Sequence, residues 1–181
     1  MSPKVASSFF SGLSTRGSAP FLTSLNLHSC GIGLSGAIAL AASISRGCFR
    51  SLQTLNLGAN SIEVEGIATV SLAASLPDCF LALDSLHRSS FKMGSEVGDA
   101  LTIALSILFS LPSLHNLDLS GNKWGPEGAS ALATAASTCG CLSNLRSLDL
   151  SRNYSGRVGM IEIASALSKP GCLPSLHSLE L

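Results

Sequence analysis

The sequence predicts an α/β solenoid: a curved horseshoe segment with parallel strands on its concave face and helices on its convex face. Three observations predict it. A motif L-x-x-L-x-L recurs along the chain, its copies are evenly spaced, and an Ala/Leu-rich stretch of helical period follows most of them. The leading leucines are Leu22, Leu52, Leu83, Leu114, Leu145 and Leu176, so the spacing is 30 residues once and 31 thereafter.

The strand comes first in each unit. Leu25 and Leu27, Leu55 and Leu57, Leu117 and Leu119, and Leu148 and Leu150 alternate with polar residues. Alternation sends the leucines to one side and the polar residues to the other. Strands are expected near 24–28, 54–58, 85–88, 116–120 and 147–151. The turn comes next. Cys30, Asn60, Asn122 and Asn153 stand three residues after the last strand leucine. An Asn amide there can satisfy backbone groups left unpaired where the chain bends. Cys30 replaces it once, with weaker hydrogen bonding. An apolar residue follows (Ile32, Ile62, Trp124), then a glycine six past the Asn position (Gly36, Gly66, Gly128, Gly159). Helices are expected near 35–46, 64–76, 96–110, 126–138 and 157–168. One strand with one helix cannot bury its apolar face alone, but stacked copies share a continuous core.

The third unit departs from this pattern. Arg88 stands where a buried leucine belongs, Phe91 replaces the Asn, and the glycine comes one residue late at Gly98. Burying an unpaired guanidinium is costly, so a distorted strand with Arg88 turned outward is expected.

The pattern L-x-x-L-x-L-x-x-N/C-x-I/L, with its glycine-led helix, resembles the leucine-rich repeats of the ribonuclease-inhibitor type. NOD-like receptor repeat regions and Ran GTPase-activating proteins share that class. The resemblance covers nearly the whole chain. It implies a single domain over 1–181 of about five repeats, with a partial repeat at each end, and a protein-binding rather than catalytic role. A GTPase-activating or other regulatory accessory role, as in the Ran activators, is the alternative.

Bulk composition excludes several other classes. Lys plus Arg and Asp plus Glu are 11 each, which gives no electrostatic case for nucleic acid or an anionic membrane. The first acidic residue is Glu63, so the first third is weakly basic and the rest weakly acidic. The longest apolar run, 100–111, is interrupted by Thr102, Ser106 and Ser110 and is too short to span a bilayer. The Ser-rich, acid-free stretch 1–16 has the composition of a transit peptide, but it also fits the helical half of a repeat. Val5 and Leu13 precede Leu22 by the distances at which Gly159 and Leu167 precede Leu176. The chain is therefore expected to be an uncapped piece of a larger array, able to self-associate through its ends.

Of the 6 cysteines, Cys48, Cys79, Cys141 and Cys172 each lie four residues before a leading leucine. Ser110 holds that place once. A thiol once per repeat stacks as a buried column and behaves as a small apolar residue. No metal and no cofactor are expected, and free thiols favour the cytoplasm. Asn153-Tyr154-Ser155 matches a glycosylation sequon, yet Asn153 is a structural Asn whose amide is expected to be occupied. His28, His87, His115 and His177 fall in or beside strands and read as surface polar residues. No nucleophile, base and orienting acid form a recognisable set, so no catalytic residue is assigned.

The candidate partner-binding residues are those between the strand leucines. The central column reads Asn26, Asn56, His87, Asp118, Asp149 and Glu180, with Arg152 at its margin. It becomes acidic toward the C-terminus and carries none of the aromatic anchors usual in tight interfaces. The other reading is that these strands are spacer repeats.

Overall fold

The computed structural model describes residues 2–13, 18–76, 79, 82–87, 111, 113–139 and 143–181. Along these the chain alternates helix and strand, in the order α1 (Pro3–Gly12), β1 (Ser24–Asn26), α2 (Gly33–Ser45), β2 (Thr54–Asn56), α3 (Val64–Ala74), β3 (Ser85–His87), β4 (Asn116–Asp118), α4 (Gly125–Cys139), β5 (Ser147–Asp149), α5 (Gly156–Leu167) and β6 (Ser178–Glu180). The strands form one sheet in sequence order, and each pairs with the next in parallel. The register matches motif to motif: Leu25, Leu55, Leu86, Leu117, Leu148 and Leu179 are successive partners. This is the α/β repeat solenoid that the spacing predicts. Segment 3–12 takes the helical half of a unit, as its register with 159–167 implies. The predicted helix over 96–110, the outward turn of Arg88, and Phe91, Gly98, Ser110 and Cys141 lie outside the described residues.

The core runs between sheet and helices. Leu55, Leu86, Leu117 and Leu148 are buried in the middle strands, and the first and third motif leucines are buried with them wherever they are described there. From the helix side, α2 buries Ala37, Leu40, Ala41 and Ile44, the helical repeat of three and four. The recurrent glycine follows from helix spacing. A Cβ on Gly159 would meet the Ala129 Cβ at 2.5 Å, and one on Gly36 would meet the Ala6 Cβ at 2.9 Å. Neighbouring helices therefore touch backbone to side chain at this position. Toward the two edges of the sheet the leucines are less covered: Leu25 is half-buried and Leu179 is 38% exposed.

The strands are shorter than predicted, three residues each, because both ends are bent. At the start, two successive N–H groups donate to one carbonyl of the previous unit. His115 and Asn116 both bond Asp84 O, Arg146 and Ser147 both bond His115 O, and His177 and Ser178 both bond Arg146 O. Two successive N–H groups thus share one acceptor, an arrangement repeated at every junction from β1 to β6. At the far end, the central polar residue caps the turn. Asn26 Oδ1 accepts the His28 N–H at 3.0 Å, and Asn56, Asp118 and Asp149 accept from Gly58, Ser120 and Ser151 at 2.9 Å. Each cap pulls the chain out of the sheet two residues early.

The turns then flank the Asn position with left-handed residues. φ is +54° at Ala59 and +50° at Ser61, and +59° at Arg152 and +57° at Tyr154. Non-glycine residues rarely hold such angles, and the Asn side chain between them fixes the turn. Asn60 Nδ2 donates to Leu27 O and Leu57 O, both at 2.7 Å, and its Oδ1 accepts the Ile32 N–H at 3.3 Å. Asn153 repeats this on Leu119 O at 2.9 Å and Leu150 O at 2.8 Å. Each Asn therefore ties its own strand end to that of the preceding unit. The Asn153 amide nitrogen is occupied and the residue buried, which leaves the sequon inaccessible in the folded chain.

The cysteine column is buried at Cys48, Cys79 and Cys172, as expected, and it also does more than fill space. Cys48 Sγ donates to Leu13 O at 3.0 Å, Cys79 Sγ to Ile44 O at 3.1 Å, and Cys172 Sγ to Ala136 O at 3.4 Å. Each thiol caps a carbonyl near the C-terminus of the preceding unit's helix, where carbonyls lack helical partners. Burial pushes the Cys172 thiol up, opposed more weakly by Lys169, and a protonated thiol is what donates. Cys30, Cys48, Cys79 and Cys172 are free. Titration of the denatured, unreduced protein is expected to find all 6 thiols of the sequence. Before denaturation, half-buried Cys30 should react ahead of the three buried ones. Fewer than six thiols after denaturation would contradict the reduced state.

Candidate partner-binding face

The sheet has two unlike sides. Helices cover one. The other carries the polar residues of each motif, and among the described residues no element packs over it. At each strand start two successive residues of the motif reach this side, as His115 and Asn116 do in both contacting Asp84, and the residue after the middle leucine makes a third. Three polar columns result, running across the strands. The first is Gln53, Asp84, His115, Arg146 and His177; the second is Thr54, Ser85, Asn116, Ser147 and Ser178; the third is Asn56, His87, Asp118, Asp149 and Glu180.

The predicted binding residues fall in the third column, but they are not equivalent. Asn26, Asn56, Asp118 and Asp149 each commit one side-chain oxygen to the turn cap described above, which leaves the rest of the group facing outward. His87 Nε2 lies 3.1 Å from Ser85 Oγ, and its Nδ1 lies 3.5 Å from Asp118 Oδ2. Glu180 is exposed, and so is Arg152, whose left-handed backbone sets it in the turn beyond β5. The first column, outside the predicted set, supplies the tightest polar contacts on the face. His115 Nδ1 lies 2.7 Å from Asp84 Oδ1, and Asn116 Nδ2 donates to Asp84 Oδ2 at 3.1 Å. The double-x of L-x-x-L was the signal for it.

Ser85, His87 and Asp118 therefore stand in the chemical order of a nucleophile, base and acid, a grouping that the sequence did not reveal. Alternation places Ser85 and His87 on one face, and parallel register sets Asp118 beside His87. A strand paired on both sides commits its backbone N–H groups to the ladder, while an oxyanion needs donors aimed outward at it.

The helix side offers one contrasting feature, a shallow groove of about 530 Å³ between α4 and α5. Ser130, Thr134 and Ser137 line one wall, and Ile161, Glu162 and Lys169 the other. Ser130 Oγ donates to Glu162, and Lys169 Nζ donates to Ser137 Oγ at 2.9 Å, so its polar groups are largely paired across the helix seam. Among the described residues no group of three or more His, Cys, Asp or Glu could hold a metal ion, and no helix is long and apolar enough to cross a membrane.

The Leucine Rich repeat family model matches residues 18–41 and 110–133, two segments that each begin just before a motif and run into the unit's helix. Together with the parallel sheet and its motif-to-motif register, these matches make the chain a leucine-rich-repeat protein. No curated protein matches it significantly. Leucine-rich-repeat domains as a class mediate protein–protein contacts, typically as non-enzymatic binding modules.

Proposed function

We propose that this chain is an interaction module that holds a partner protein on its strand face, the concave side of a ribonuclease-inhibitor-type array. The observation that carries the reading is the asymmetry of the sheet. Its polar columns are solvent-accessible and uncovered by any described element, whereas the opposite face is packed under helices. Half-buried Asp84, His115 and Asn116 are already fixed by hydrogen bonds, so they lose little freedom when a partner docks. The N/C position of each turn and the outer helices support the ribonuclease-inhibitor type. The free thiols support a reducing compartment, the cytoplasm. Residues 1–181 act as one domain in this reading.

A photo-crosslinking side chain at Ser147 on the strand face, compared with one at Thr134 on the helix face, tests it. Adducts with a partner protein are expected from Ser147. Adducts from Thr134 alone, or from neither, would overturn the reading.

A further inference from the structure

We propose that the partner segment held on β4–β6 is an α-helix lying across the strands, with a basic flank and an acidic flank. This rests on the binding-module reading above and specifies its occupant. Two stripes of different character cross these strands, one acidic and one with the Arg146 cation between two histidines. His115, Arg146 and His177 line the strand starts, and each backbone N–H of the second and third donates to the carbonyl of the one before. Asp118, Asp149 and Glu180 line the strand ends as register partners. Between them run Asn116, Ser147 and Ser178, small side chains that leave the middle of the face low.

The dimensions select a helix. Three residues along a strand separate the stripes by roughly 10 Å. A helix with its side chains is about 10–12 Å across, so its two flanks reach both stripes at once. Along a stripe, the step between strands is about 4.8 Å, close to the helical pitch of about 5.4 Å. One charged residue per turn therefore meets one strand. An extended segment fits neither distance: same-face side chains recur every ~6.6 Å, and a single strand is too narrow to meet both stripes. The charges set the chemistry. The partner carries Lys or Arg along the flank over Asp118, Asp149 and Glu180. It carries Asp or Glu on the flank over Arg146, where His115, already bonded to Asp84, and His177 add polar contacts, with small residues facing Ser147.

The probe is an alanine-based helical peptide with Arg along one flank and Glu along the other, one of each per turn. The control has the same composition with both signs mixed on each flank. Binding to the full chain is measured by titration calorimetry at low ionic strength. The patterned peptide is expected to bind at least about threefold more tightly than the control, the scale of exposed ion pairs. Asp149→Asn and Arg146→Gln are each expected to weaken it by about threefold. Asp149→Asn keeps the turn cap, as Asn26 and Asn56 already show, so an unchanged melting temperature confirms that the variant is folded. Equal binding of the two peptides, binding of neither, or indifference to both substitutions would overturn the proposal. Its failure is distinct from failure of the module reading. A partner crosslinked through Ser147 by a non-helical segment sinks this inference alone, whereas the absence of strand-face adducts sinks the module reading.

Discussion

Trp124→Ala is expected to destabilise the fold by about 3–5 kcal/mol, the cost of removing a fully buried indole from a packed site. Trp124 is the largest fully buried side chain of the described core and is 0% exposed. It stands where Ile32 and Ile62 stand in earlier units, at the point where the turn passes into the helix. One turn further on, Gly128 has no side chain, and a Cβ there would run into the indole's own Cβ and Cγ. Ring and glycine therefore fit as a pair. For a chain of this size, each kcal/mol lowers the melting temperature by roughly 2–4 °C, so the shift is on the order of 10 °C. Circular dichroism reads it, since the variant lacks the chain's 1 tryptophan. The indole Nε1 has no hydrogen-bond partner among the described residues. Trp124→Phe should thus lose packing alone and cost less than the alanine variant. A loss below about 1 kcal/mol for Trp124→Ala, well under the usual range for buried aromatics, would mean that this site is not packed as described.

Asn60→Ala is expected to cost about 3 kcal/mol, because each buried polar group left unpaired is worth about 1–3 kcal/mol. The substitution strands Leu27 O and Leu57 O together with the Ile32 N–H. It also removes the side chain that holds Ala59 and Ser61 in left-handed conformations. Denaturant midpoints compared with the parent chain measure the loss. Asn60→Asp separates this account from a simple size effect. Aspartate keeps the shape and the acceptor for Ile32, but it points carboxylate oxygen at two carbonyls. It should be at least as damaging as alanine. A neutral Asn60→Asp would contradict the assigned bonds.

The fold was legible because its signal is periodic. Leucines recurring every 31 residues fix the register, and register fixes the order and direction of the strands. Element ends were less legible, because they are set by hydrogen bonds and not by hydrophobicity. Leu27 is as apolar as Leu25, yet β1 stops at Asn26, where the Asn side chain captures the His28 N–H. The Asn or Asp two residues ahead of a turn N–H was visible in the sequence, but it read as a binding residue and not also as a cap. Cys48, Cys79 and Cys172 stand in the buried column that the sequence predicted. Their bonds to helix-terminal carbonyls cross 35 or 36 residues of chain and leave no local trace. For the candidate site, the third column was legible from alternation. The first was not, because a simple alternation pattern has no place for two successive residues on one side. The contacts Asp84–His115 and His87–Asp118 join residues 31 apart, the repeat length, so stacking creates them.

Leucine, asparagine and cysteine columns hold the fold, and we propose that the polar columns of the strand face hold a partner. The most direct measurement takes two variants of the full chain and records both melting temperature and capture of the partner identified by crosslinking. One places arginines at Asn116, Ser147 and Ser178; the other places them at Thr134, Ile161 and Ser165. Both are expected to keep a melting temperature within roughly 3 °C of the parent, as surface changes do, and only the strand-face variant is expected to lose capture. Capture that survives the strand-face arginines, or that is lost with the helix-face ones, would contradict the proposal.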